Sequence, residues 1–144
     1  MTVMAGFPVN TDTETITITH AFTPASHRHT PDSVYARFFV TPALGCAAFL
    51  LWERLTDYLP SQPSGSVELG WSELTRSLGL TPGRGARVLA RLVDFHLVEQ
   101  MPTNGWFAVR RAVATLKPAQ LERLALHCPQ LAASHDTFAA ATAA

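Results

Sequence analysis

Residues 66–109 switch hydrophobic period several times in fewer than fifty positions, and that spacing restricts the folds open to the chain. SVEL (66–69) alternates as a short half-buried strand does. WSELTRSLG (71–79) places Leu74 and Leu78 four residues apart and ends on Gly79, a helix with a glycine stop. LTPG (80–83) is a turn in which Thr81 is a candidate N-cap and Pro82 takes the first helical position. RGARVLARLVDF (84–95) is a second helix. LVEQM (97–101) and WFAV (106–109) are short strands joined by PTNG, whose Asn104-Gly105 pair is a strong hairpin signal.

The flanks are less regular. Residues 1–13 are polar and without period, and are expected to be loose. TETITITHAF (13–22) alternates threonine with Ile16 and Ile18, a strand pattern. TPASHRHTPD (23–32) reads as a loop with two prolines, and VYARFFV (34–40) as extended on its aromatic and β-branched content. Thr41-Pro42 is read as a helix start, giving one helix over residues 42–59 that stops at Pro60. Its first half is apolar on nearly every face, so it is central to a core or buries a face on a partner. A further helix begins near Lys117-Pro118, with Leu121, Leu124 and Ala125 on one face, and Pro129 breaks it. This divides the chain into an arm with a strand (1–40), a folded domain (41–135) and a disordered alanine-rich tail (136–144).

At 144 residues the chain suits one domain with a proper core, and 47% apolar against 15% charged residues says globular. Eleven basic and eleven acidic residues balance to zero, which argues against a generic polyanion binder and makes the placement of charge decisive. Cys46 and Cys128 form no disulfide framework and are read as reduced thiols. The N-terminus has no basic region followed by an apolar run, and the apolar stretch of residues 42–52 is too short for a bilayer. The expectation is a soluble cytoplasmic protein with no membrane partner.

Strand, helix, short turn, helix and hairpin is the element order of a winged helix-turn-helix. SVELGWSELTRSLGLTPGRGARVLARLVDFHLVEQ resembles that segment of bacterial winged-helix regulators, and small actinobacterial winged-helix proteins most of all. The resemblance spans roughly residues 41–135. It implies an α+β, mainly helical fold, with the N-terminal strand and C-terminal helices as additions, in which the first helix supports and the second reads DNA. Two departures stand out. MPTNG at the wing tip holds no lysine or arginine, leaving Thr103 and Asn104 as its only phosphate contacts. His96 stands where relatives tend to have glycine, in a left-handed position that histidine tolerates better than most residues.

The second helix carries the functional argument. At about 100° per residue, Arg84, Arg87 and Arg91 fall within roughly 60° of one another, with Ala86, Leu89, Ala90 and Val93 opposite. An arginine can fork two hydrogen bonds to guanine or to phosphate oxygens. Arg84 and Arg87 are therefore assigned to base edges or adjacent phosphates, and Arg91, Arg76, Thr81 and Arg110 to the backbone. Arg76, Arg84, Arg87, Arg91, Arg110 and Arg111 exceed Glu68, Glu73, Asp94 and Glu99 by two. Gly83 and Gly85 flank Arg84 although glycine costs about 1 kcal/mol inside a helix. Either they let a phosphate or groove wall come close, or TPGRG is a flexible turn.

The expected role is sequence-specific duplex binding in transcription control, by a homodimer formed through the helix of residues 42–59. Two recognition helices one duplex turn apart would read a palindrome. The competing reading is a winged helix used for protein contact, favoured by zero net charge and the bare wing. His27 and His29, or His127, Cys128 and His135, lack the spacings of a closed zinc site. No P-loop, GxSxG, HExxH or GxGxxG occurs, so neither an enzyme nor a cofactor is expected.

Overall fold

A computed structural model of the chain describes residues 14–143, with side chains as far as Ala139. The loose segment expected at residues 1–13 lies outside the described residues. The fold is α+β and about half helical, with six α-helices and a four-stranded mixed sheet among the described residues. In chain order these are β1 (Thr15–His20), a π-helical turn (Ala36–Val40), α1 (Thr41–Leu44), α2 (Cys46–Tyr58), β2 (Ser66–Gly70), α3 (Trp71–Ser77), α4 (Pro82–Asp94), β3 (Val98–Gln100), β4 (Trp106–Val109), α5 (Pro118–His127) and α6 (Pro129–Ala143).

The alternation in TITITH works as read: Ile16 and Ile18 are buried, and the threonines lie on the other face. The strand is not an appendage, however. The sheet order is β2-β1-β4-β3, so β1 occupies the interior. It runs antiparallel to β2, with Ile16 opposite Leu69, and parallel to β4, with Ile18 opposite Phe107. The β3–β4 hairpin closes the far edge, Val98 opposite Val109. The segment before residue 41 therefore supplies the middle of the sheet and part of the same core as α2, α3 and α4.

Residues 34–40 are helical, which corrects the extended reading. The Ser33 hydroxyl accepts the Ala36 N–H at 3.1 Å and starts the helix. Tyr35, Ala36, Phe39 and Val40 are buried together while Arg37 and Phe38 are exposed, the spacing of a helix face. Their β propensity is a weak prior that this burial overrides. Thr41 is accordingly not an N-cap: it already has helical angles, and the widened turn from Ala36 falls just before Pro42, whose missing N–H and bulky ring disfavour a tight ladder.

The single helix expected over residues 42–59 is two. Gly45, at φ 98° and ψ 147°, breaks it into α1 and α2, a conformation closed to residues with a Cβ. Pro60 ends α2 as read, through the extended Leu59. At the other end of the chain, Pro129 interrupts the helix after His127 but opens another in the position proline favours. Helix α6 continues to Ala143, beyond residue 135 where disorder is expected. Packing explains the difference: Phe138 meets Phe39 edge-on at 5.3 Å, and His135 is buried.

Candidate nucleic-acid interface

The turn between α3 and α4 forms as its residues dictate. Gly79 has φ 75°, and the N–H groups of Gly79 and Leu80 close the end of α3 on the carbonyls of Arg76 and Thr75. Thr81 then caps α4, its hydroxyl accepting the Arg84 N–H at 3.2 Å, with Pro82 at the first helical position. At the far end His96 takes φ 63° and the Leu97 N–H reaches the Leu92 carbonyl at 3.0 Å. A histidine thus fills a left-handed helix stop.

Helix α4 lies across α3 at Gly85. A Cβ there would stand 2.4 Å from Thr75 Cγ2 and 3.0 Å from Trp71 Cζ2, whereas one at Gly83 would meet nothing within 4 Å. The two glycines therefore have different reasons. Gly85 is a packing requirement between the helices, and Gly83 faces open space. TPGRG is not a flexible turn, since α4 is helical from Pro82.

Ala86, Leu89 and Leu92 are buried on the inner face of α4, with Ala90 and Val93 at its margins; the inner face includes Leu92, which the sequence reading left out. Arg84 and Arg87 are exposed on the outer face, and their guanidinium groups have no partner among the described residues. Arg91 behaves differently. Its Nε donates to the Leu44 carbonyl and its Nη2 to the Ala43 carbonyl, the latter at 3.0 Å. It closes the open carbonyl end of α1, so it is a structural clamp between α4 and α1 as well as part of the row.

The other assigned residues are dispersed. Arg76 is exposed in the last turn of α3 and is already engaged. Thr103 and Asn104 are exposed in the hairpin loop, which Gly105 turns at φ 81°. Arg110 is half-buried at the end of β4, its N–H on the Leu97 carbonyl at 2.9 Å and its carbonyl held by the Trp52 indole N–H at 2.8 Å. It lines a cleft with His27, Asp94, His96 and Lys117, which Arg84 and Arg87 do not border. Arg123 and His127 of α5, distant in sequence from α4, border a cleft with Arg91. Only their four-residue spacing hints at a shared face.

Two of the histidines considered for metal binding, His29 and His135, take part in a core hydrogen-bond network. Among the described residues no group of three His, Cys, Asp or Glu side chains is arranged to hold a metal ion. His29 stacks on Tyr35, ring centroids 3.8 Å apart, and its Nε2 meets the Thr115 hydroxyl at 3.0 Å. The Tyr35 oxygen accepts the Leu116 N–H at 2.9 Å and sits 2.6 Å from His135 Nε2. Asp136 Oδ1, 3.2 Å from His135 Nδ1, can only accept, so in the neutral imidazole Nδ1 carries the hydrogen and Nε2 accepts the Tyr35 O–H. Tyr35→Phe removes both bonds inside the core and is expected to lower stability by about 1–3 kcal/mol, measurable by urea denaturation.

Burial, with help from Arg28 and His135, holds His29 below its ordinary value of 6.5. His27 is lowered by burial, then by Arg110 and Lys117. Burial also raises the Tyr35 phenol, partly offset by the Leu116 N–H and the Thr115 hydroxyl. The unfolded chain binds a proton on such a histidine more readily than the folded one. Stability is expected to be full above pH 6.5, to fall as pH drops below it, and to level off below the folded-state value. A denaturant midpoint series from pH 8 to pH 5 measures this; His29→Gln should flatten the slope.

Comparison of the chain with models of protein families, with characterised proteins and with solved structures gives no match. No helix among the described residues is long and apolar enough to cross a membrane.

Proposed function

We propose that the chain is a winged helix-turn-helix protein that binds duplex DNA through α4 and acts in transcription control in the cytoplasm. The observation that carries this reading is the outer face of α4: Arg84 and Arg87 are exposed, unpaired among the described residues, and one turn apart near the helix start. The Gly83 N–H at that helix start is the one left for a phosphate, since Pro82 has none, Thr81 Oγ1 takes that of Arg84 and the Thr81 carbonyl that of Gly85. The strand-helix-turn-helix-hairpin order of β2, α3, α4, β3 and β4 supports it, as does the Thr81 cap that fixes where Arg84 begins.

Arg84 and Arg87 meet base edges or phosphates in this reading. Thr81, Arg76 and Arg110 remain backbone anchors, with Thr103 and Asn104 as minor contacts of the hairpin. Arg91 acts mainly by holding α4 to α1. A homodimer through α1 and α2 supplies the second recognition helix, and the exposed Leu50 and Tyr58 on α2 are its apolar contacts.

The test is binding of the full chain to a diverse pool of labelled duplexes, beside the Arg84→Ala/Arg87→Ala double variant. With each well-placed arginine contributing about 1–3 kcal/mol, the double variant should bind at least about tenfold more weakly while its thermal unfolding is unchanged. A protein-contact module is the second reading. It is favoured by Phe22, 81% exposed, together with the neutral hairpin tip. Wild type that binds no duplex at low salt would select it.

A further inference from the structure

Helices α1, α4 and α5 enclose a cleft of about 320 Å³, lined by Pro42, Ala43, Arg91, Phe95, Gln120, Arg123, Leu124 and His127. Its volume is at the lower end for small-molecule sites. Its chemistry is one-sided. The polar lining is two arginines, a histidine and a glutamine, with no carboxylate, and the floor is Leu124 and Phe95. In a chain of zero net charge, such a local excess needs a reason.

Arg91 supplies one. Its bonds to the Leu44 and Ala43 carbonyls use two of five guanidinium N–H donors and fix the plane of the group. The other three have no partner among the described residues, and no acid neutralises the charge. A guanidinium held from behind by main-chain carbonyls is prepared to fork onto an anion. Arg123 and His127 lie four residues apart, so both stand on the same side of α5. Three cationic or donor groups from two helices then converge over an apolar floor.

We propose that this cleft binds a small free organic anion, a carboxylate or phosphate monoester with a compact apolar body. The head pairs with Arg91 and Arg123, His127 and Gln120 donate to the remaining oxygens, and the apolar body covers Leu124 and Phe95. A duplex backbone offers the same head group but no apolar body, which is why the occupant is a free ligand. Because Arg91 also belongs to the outer row of α4, occupancy bears on how α4 is held against α1. The site does not depend on DNA binding by Arg84 and Arg87.

Phenyl phosphate is the probe, titrated into the full ¹⁵N-labelled chain and followed by amide shifts. The expected result is saturable shifts at residues 43–44, 91–95 and 120–127, about tenfold weaker binding in Arg123→Gln and in His127→Gln, and no change in Arg84→Ala/Arg87→Ala. Both α5 side chains are exposed, so these variants keep the fold. Leu126→Ser, at an exposed position outside the cleft, should bind as wild type does. Inorganic phosphate should bind more weakly, because it leaves the floor uncovered. Absence of saturation, shifts centred on Arg84 and Arg87, equal affinity for inorganic phosphate, or displacement of the probe from α5 by a short duplex would each overturn the assignment.

Discussion

Trp52→Ala is expected to lower the unfolding free energy by about 3–5 kcal/mol, the range for deleting a large buried aromatic side chain. Trp52 is fully buried in α2, edge-on to Phe49 at 5.8 Å, and its indole N–H donates to the Arg110 carbonyl at 2.8 Å. That bond ties the helix to the chain leaving β4, so removal of the ring opens a cavity and strands a carbonyl together. Trp52→Phe separates the two contributions. It keeps most of the apolar contact and should cost about 1–3 kcal/mol through the unpaired carbonyl. Urea unfolding of the three proteins decides it; a loss below 1 kcal/mol for the alanine variant would mean that α2 is not anchored there.

Gly85 and Gly83 should respond to alanine with opposite signs. In an open helical site alanine is favoured over glycine by about 1 kcal/mol, which is the gain expected at Gly83. At Gly85 the same methyl would press on Thr75 Cγ2, and Thr75 cannot turn aside cheaply. Its hydroxyl is bonded to the Trp71 and Ser72 carbonyls, each at 3.0 Å. Overpacking of this kind costs about 1–3 kcal/mol. The two variants should therefore differ by roughly 2–4 kcal/mol in stability, read from denaturant midpoints. Equal responses would show that α3 and α4 are not in contact at Gly85.

These two positions also show what could be read from the sequence. The strand-helix-turn-helix-hairpin order was legible because each element carries a local signal: Thr81-Pro82 for the start of α4, Gly79 for the end of α3, Asn104-Gly105 for the hairpin. His96 was legible for the same reason, since a left-handed helix stop is a local matter. Long-range contacts decided the rest. Nothing in TITITH says that its strand is inserted between β2 and β4 rather than added at an edge, since a period of two fixes faces and not neighbours. VYARFFV is helical because four of its residues find a core, not because of their propensities. Gly45 lies inside an apolar run, where one glycine is a weak stop, yet Arg91 of another helix makes use of the break.

The same division holds for the candidate interface. The arginine row followed from spacing alone, and Arg84 and Arg87 stand exposed as that spacing requires. That Arg91 is turned to α1, that Arg110 lies in a separate cleft, and that Arg123 and His127 adjoin Arg91 are facts of tertiary arrangement. A helical projection of α4 contains none of them.

The most direct test of DNA binding through α4 is the salt dependence of duplex affinity, measured for wild type and for Arg84→Ala/Arg87→Ala between 50 and 200 mM salt, about the range over which counterion release is pronounced. Each phosphate neutralised contributes about 0.9 to the slope of log affinity against log salt. Wild type should show a steep negative slope, and the variant a slope shallower by up to about 1.8 if both arginines meet phosphates. Weaker binding at an unchanged slope would place them on base edges. Binding that is indifferent to salt, or a variant that matches wild type in affinity and slope, would rule out DNA binding through Arg84 and Arg87.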